Sequence, residues 1–518
     1  MNTTDFLSIA TSICPDRVAI VFEGKRYTFS RLNKRVDRLA NAFLKLGIGK
    51  GDRLAMLQVN CNQFVEAYFA AAKLGAIYVP LNFRAKENEL TYMLNTAEAS
   101  ILLIGERYIE LVTSLRSNLT SVGHFISIES RHDGMLYYED MITSSAADEV
   151  VTEIDDDDTT ILLYTAGTTG FPKGVMLSHN SFTVYVLENV TPADPELEER
   201  NILTVPLYHV AGIQAMMAAI YGGRTLVMER QFEAKEWMEL VENEKANRAM
   251  MIPTMLKQLI DHPEFGEHDL SSLKVITYGA APMPLEVIKR ALDAFPGVSF
   301  INAFGQTETA STITTLGPED HIISGTEKEK EKKLRRLSSI GKPMSDVEMR
   351  IVDEDGRELP VGHVGEIVAR GPRVMTGYWR DEEKTEKTID KDGWVHTGDM
   401  GYMDEDGYFY LAGRATDMII RGGENISPEE VEAALLTHSK VEEAAVIGIP
   451  DEEWGEQPRA IVVLKQGEVA TAEEIMEYCR TNLSSFKRPR SVVFVNELPR
   501  NPMGKVLKRV LRELYGKV

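Results

Sequence analysis

Two hydrophobic periods take turns along the first third of this chain, and few architectures tolerate that. Residues 29–46 place Leu32, Val36, Leu39, Ala40 and Phe43 at helical spacing. The glycines at 47, 49 and 51 break the pattern, and 52–59 reads as a strand. Residues 67–74 are again helical, 76–80 form a short strand, and 160–164 are the apolar run of a buried strand. Short strands alternating with helices predict α/β layers built on mostly parallel sheets. No repeat of period 20–50 is visible. At 518 residues the chain exceeds what one hydrophobic core holds and divides into several domain-sized units.

Charge and cysteine usage narrow the function classes. The formal charge is −22, which disfavours non-specific binding to nucleic acid or to an anionic membrane. Three cysteines in so long a chain suit a reducing compartment rather than a disulfide scaffold. The N-terminus has no basic segment ahead of an apolar one, and the C-terminal Gly-Lys-Val is no peroxisomal address. The most apolar long window, 203–223, contains Pro206, His209 and Gly212 and reads as buried core rather than a membrane span. The expectation is a cytoplasmic protein with no transmembrane segment. Segments 148–158, 194–200 and 327–336 read as solvated loops. Residues 415–518 carry a net charge of only −3, and 484–518 reverse sign to +7. A domain boundary is therefore expected near 413–417, giving units 1–414 and 415–518. A basic unit on an acidic body suits a lid that brings cations to an anionic substrate.

The sharpest motif is Tyr-Thr-Ala-Gly-Thr-Thr-Gly-Phe-Pro-Lys-Gly at 164–174. Gly167, Gly170 and Gly174 let the backbone approach a ligand closely and expose its N–H groups. Thr165, Thr168 and Thr169 add hydroxyls, and Lys173 adds a positive charge. Such a loop, placed between a buried strand and the helix that begins near Ser178, suits a polyphosphate. It is not the G-x-x-x-x-G-K-[ST] loop, because Gly174 follows Lys173.

This loop resembles that of the adenylate-forming superfamily of acyl-CoA synthetases, luciferase-like enzymes and nonribosomal adenylation domains, with Ala166 in place of the usual Ser. The resemblance continues in order through Gly279-Ala280-Ala281-Pro282, Phe304-Gly305-Gln306-Thr307-Glu308, Thr397-Gly398-Asp399, the stretch 413–432 and Pro499–Lys505. It covers nearly the whole chain. It implies a large N-terminal domain of two α/β sheets plus a β-barrel-like part, with a small mobile α+β C-terminal domain. It also implies an ATP-dependent ligase that joins a carboxylic acid to AMP, releases pyrophosphate, and passes the acyl group to coenzyme A. A carrier-protein pantetheine as acceptor, or an inactive binding protein of the same fold, are the alternatives. A homodimer is compatible with the family.

The resemblance assigns roles that each residue type can perform. Phe304 can stack on a purine beside the small Gly279, Ala280 and Ala281. Thr307 can donate to the α-phosphate, and Glu308 is a hard oxygen ligand for Mg²⁺. Asp399 can accept from the ribose hydroxyls, with Arg414 donating from the other side. Lys505 is implied as the catalytic lysine, meeting substrate carboxylate and α-phosphate together. Thr416 stands at the hinge, where the family usually has Asp or Lys. Arg421, Gly422 and Gly423 line the implied pantetheine tunnel, and Lys487, Arg488 and Arg490 are candidate CoA phosphate contacts. His209 resembles the gate between the acyl and CoA tunnels, followed by a Met-rich helix that suits a plastic apolar pocket. Gly305, where acetate-activating members carry Trp, is expected to leave the acyl pocket open. That predicts a medium- to long-chain fatty or aryl acid.

Overall fold

The computed structural model describes residues 1–165, 172–414, 416–421, 424–451, 454–501 and 504–517; the side chains of Glu424, Asn425 and Phe486 are not described. The alternating pattern becomes two large sheets. One has eight strands among the described residues, in the order Gly377–Tyr378, Lys173–Ser178, Thr159–Thr165, Ile77–Pro80, Arg53–Leu57, Ile101–Ile104, His124–Ser127, Leu136–Tyr137. Its centre is parallel and buried on both faces, so Ile77–Pro80 and Ile101–Ile104 are buried at every position. The helix Phe29–Lys45 forms as its period predicts. Thr28 caps it by accepting from the Arg31 amide, and Leu32, Val36, Leu39, Ala40 and Phe43 are all buried.

The other large sheet has nine strands among the described residues. Val275–Gly279 and Ser299–Gln306 lie near one edge and Thr225–Met228 next to Val18–Phe22 near the other, with Arg200–Leu203 and Arg248–Met251 between. The helix Val210–Tyr221 lies in the apolar window 203–223 and is buried almost throughout, packed in the core shared with the first sheet. Among the described residues no helix is long and apolar enough to cross a membrane. The three cysteines are buried and free.

A third, antiparallel sheet of four strands, Glu348–Val352, Gly365–Arg370, Val395–Met403 and Phe409–Arg414, forms the part implied as barrel-like. Sheet membership then changes. The next strand, Ile419–Arg421, pairs with Glu424–Ile426 and Gly455–Leu464, and Gly455–Leu464 also pairs with Val441–Asp451 and Ser491–Phe494. This small sheet has its own clusters, around Val446 and Val462 on one face and Ile447 and Leu511 on the other.

Two local expectations are corrected. Residues 327–336 are not a loop but the helix Glu327–Arg336. Thr326 and Glu329 form its capping box, and acids in the first turn with bases in the last suit the helix dipole. The glycine/threonine loop does not run from strand to helix. A further strand, Lys173–Ser178, intervenes and pairs antiparallel with Thr159–Thr165. The helix at Ser178 exists, spanning His179–Asn189.

Candidate active site

The ends of the strands collect most of the predicted residues. At the hairpin, Thr165 faces Lys173 across the strand pair. Ala166, Gly167, Thr168, Thr169, Gly170 and Phe171 lie outside the described residues. Lys173 Nζ stands 5.0 Å from the centre of the Tyr378 ring, and the Tyr378 hydroxyl donates to Glu308 Oε1 at 2.9 Å. Burial, then the neighbouring Lys384, push the Lys173 pKa down. Tyr378 links the phosphate-loop lysine to the candidate metal carboxylate. No sequence motif pointed to it; its place is set by the pairing of Gly377–Tyr378 with Lys173–Ser178.

Gly279 ends one strand, and the next, Ser299–Gln306, carries Phe304 and Gly305. A Cβ at Gly279 would overlap the Ala303 carbonyl, so the glycine is needed for the strand contact itself. Ala280 adopts a left-handed φ of 65°, a strained turn that opens the edge of the sheet; Ala280 and Ala281 are half-buried there. Phe304 is half-buried and packs on clusters that include Ile313 and Ile367. Thr307, buried, and Glu308 begin the short 3₁₀ turn that follows. The turn is fixed by the Thr309 hydroxyl, which accepts from the Gln306 amide, and by Met375 N–H donating to the Glu308 carbonyl.

Gly305 does not do what the sequence predicts. Its Cβ position falls on the Ser311 carbonyl, because the strand pairing slips by one residue between Phe304 and Gly305. The space is filled by backbone, not left open to an acyl chain. Gly305 therefore carries no information on the length of the acyl chain.

Asp399 and Arg414 are register partners on adjacent strands. They do not approach from opposite sides: Arg414 Nε donates to Asp399 Oδ1 at 2.6 Å. Asp399 is 7% exposed. Burial pushes its carboxyl pKa up, against the pull of Arg414 and Lys505. Lys505 sits in a tight loop of the small domain, where its amide donates to the Asn501 side chain at 2.9 Å and its carbonyl accepts from the Asn501 amide at 2.8 Å. The loop rests on the large domain: a Cβ on Gly504 would press on Thr254. Lys505 is an exposed residue, yet nearby protein takes part of the water from its charged end. Desolvation, then the charge of Arg414, lower its pKa, while Asp399 opposes the shift. Residues 106 apart in sequence are thus close enough for their charges to act on one another.

His209 caps the helix Val210–Tyr221, with Nδ1 accepting from the Ala211 amide at 3.3 Å. Burial lowers its pKa to about 4, so it is neutral at pH 7. A cavity of about 120 Å³ lies between this helix and the nine-stranded sheet, lined in part by Gln214, Thr277, Ala303 and Thr312.

The CoA-side candidates gather elsewhere. Arg421 stacks on Trp454, 5.2 Å from its centre, within the small domain. Gly422 and Gly423 lie outside the described residues. Lys487 pairs with Glu430 at 2.6 Å, and Arg488 donates to the Leu483 carbonyl at 2.9 Å. Arg490 and Thr416 are exposed. Among the described residues there is no cluster of three ligating side chains. Glu308 alone suits Mg²⁺, which keeps waters and binds through one carboxylate plus substrate phosphates.

Comparison with known proteins fits this geometry. The family described as AMP-binding enzyme matches residues 10–379, and the AMP-binding enzyme C-terminal domain matches 430–505. A feruloyl-CoA synthase of an Amycolatopsis species is 34% identical over 97% of this chain and 96% of its own. A long-chain-fatty-acid–CoA ligase of Mycobacterium tuberculosis is 34% identical over 95% of this chain and 93% of its own. The crystal structure of an anthranilate CoA ligase in complex with anthranoyl-AMP superposes with a TM-score of 0.89 at 27% identity, covering 100% of this chain and 97% of that one. With the two matched segments covering both large sheets and the loop that carries Lys505, the chain belongs to the AMP-binding enzyme family.

Proposed function

We propose that this protein is an ATP-dependent, AMP-forming acyl-CoA ligase with an N-terminal domain, 1–414, that binds ATP and acid, and a C-terminal lid, 415–518. The observation that carries this reading is the seating of the Lys505 loop on the large domain beside the Asp399–Arg414 pair. Bringing a carboxylate onto a triphosphate sets two anions against each other. Lys505 offsets that repulsion in a partly desolvated cleft, where a fixed cation acts most strongly. Thr307 donates to the reacting phosphate, and Asp399 accepts from the ribose. Glu308, held by Tyr378, would hold Mg²⁺, which when bound neutralises phosphate charge. His209, neutral, stands between the acid cavity and the route for the thiol.

Within the expected range of acids, the compact aryl end is better supported than long alkyl chains. A cavity of about 120 Å³ is of the size that holds one ring. Relatives act on both kinds, as their names feruloyl-CoA synthase and long-chain-fatty-acid–CoA ligase state. Pyrophosphate release across a panel of aryl and alkyl acids, with and without CoA, tests the reading. Acid-dependent release with CoA-dependent thioester formation is expected. Adenylate formed but passed only to a phosphopantetheinyl carrier would favour the carrier-loading alternative. No release with any acid would leave a binding protein.

A further inference from the structure

The cavity beside the helix Val210–Tyr221 has a charged end that adenylate formation does not use. Its inner side touches Thr277 and Ala303, on the strands that lead to Gly279 and Phe304. Its far side reaches Arg224, just before Thr225–Met228, and Arg248, the first residue of Arg248–Met251. Val275 also lines that side. From Gly279 back to Val275 is one strand's length, roughly 13 Å at about 3.3 Å per residue. The charged end is thus about that far from the nucleotide edge.

Both guanidiniums share one carboxylate. Arg224 Nε donates to Glu199 Oε2 at 2.6 Å, and Arg248 Nη1 donates to Glu199 Oε1 at 3.0 Å. Two cations on one anion leave a positive charge over. The Arg224 side chain is only 14% exposed. Desolvation, then Arg248, lower its pKa, against the pull of Glu199. Polar groups beside them are also unspent. Asn201 is buried, Tyr185 is half-buried, and neither the Asn201 amide nor the Tyr185 hydroxyl has a side-chain hydrogen-bond partner among the described residues. Tyr185 is backed by the Arg373 guanidinium, 5.2 Å from its ring, and Arg373 is itself tied to Asp346. Gln214, by contrast, is committed: it accepts from Thr312 at 3.0 Å. Between the two ends the lining is apolar, with Ala215, Ala218, Ala249 and Met250.

An uncompensated charge held partly out of water is costly until a partner reaches it. We propose that the acid activated here carries a second, negatively charged group at its far end, received by Arg224 and Arg248 while the first carboxylate is joined to AMP. The proposal rests on the ligase reading above. A purely structural ion cluster would not discriminate among acids of equal length.

Para-substituted benzoates and cinnamates bearing a carboxylate, a hydroxyl or a methyl group separate these possibilities. In the wild-type protein with ATP and CoA, the carboxylate congener is expected to exceed the methyl congener at least tenfold in kcat/KM. Arg248→Met should bring that ratio within about threefold by raising KM for the charged acid, with KM for ATP unchanged. Glu199→Gln should widen it. Arg248→Lys, which keeps the charge without the fork, serves should the methionine variant not fold. The proposal is overturned when the hydroxyl or methyl congener is used as well as the carboxylate, or when Arg248→Met slows all three equally. Pyrophosphate release from none of a wide panel would remove the ligase reading, and this proposal with it.

Discussion

At the scale of single residues, the two glycines beside the nucleotide edge are fixed by neighbours rather than by ligand. Gly305 abuts the Ser311 carbonyl and Gly279 the Ala303 carbonyl. Alanine at either position should destabilise the protein by about 1–3 kcal/mol, the range for overpacking, read as a fall in denaturation midpoint. An unchanged midpoint would show that the strands yield. The same fact explains why the open acyl pocket expected at Gly305 is not found there: the sequence shows a missing side chain but not what stands in its place. Thr307, Glu308, Asp399 and Lys505 could be nominated from sequence, because each proposed role demands a particular functional group. Tyr378 and the Arg224–Arg248 pair were not, because a tyrosine or a surface arginine acquires meaning only from what it faces.

Individual titrating groups also set a pH dependence. Burial lowers His179 and His209 to about 4 and raises Glu229 to about 9. The unfolded chain protonates the histidines near 6.5, so their contribution is complete above that pH and is lost as pH falls toward 4. Glu229 has the opposite sign: its neutral form is favoured in the fold, so its contribution is lost as pH rises from about 4.5 toward 9. Two protons against one make these three groups favour a stability maximum near pH 6.5. Urea midpoints across pH 5–9 check this. Glu229→Gln should remove the alkaline decline, and a decline that persists unchanged would refute its assignment to Glu229.

Among elements, periodicity was a sound guide where one face is buried and a poor one where charge dominates. The helix Phe29–Lys45 and the buried strand Thr159–Thr165 follow their apolar patterns. Glu327–Arg336 has no buried residue, so only its caps and charge order could have announced a helix. The strand Lys173–Ser178 was hidden inside a motif read for its glycines. Its pairing with Gly377–Tyr378 makes a prediction. Tyr378→Phe removes the hydrogen bond to Glu308 and should raise KM for ATP severalfold, most at limiting Mg²⁺. Equal KM at all Mg²⁺ concentrations would show that Glu308 is positioned without it.

For the whole molecule, the decisive relation is between the two units. The sequence announced a change in charge near residue 414, and the sheets change there, but how the small unit seats was only partly legible: Gly504 lies in a motif, while other contacts are made by residues with none. One is Lys257, paired with Glu442 at 2.6 Å. Such a partly exposed pair contributes about 0.2–1 kcal/mol, so Glu442→Ala should slow adenylate formation no more than about fivefold and leave transfer from acyl-AMP to CoA unaffected. Equal slowing of both half-reactions would mean the pair supports folding, not closure. The most direct measurement concerns the lysine this seating delivers. Wild type and Lys505→Ala are each given acid with ATP, and separately synthetic acyl-AMP with CoA, in single turnovers. Loss of about 10²–10³-fold or more in the first reaction is expected, the scale for removing one fixed transition-state partner, with the second largely retained. A variant that forms adenylate at the wild-type rate, or loses both reactions alike, would contradict the account.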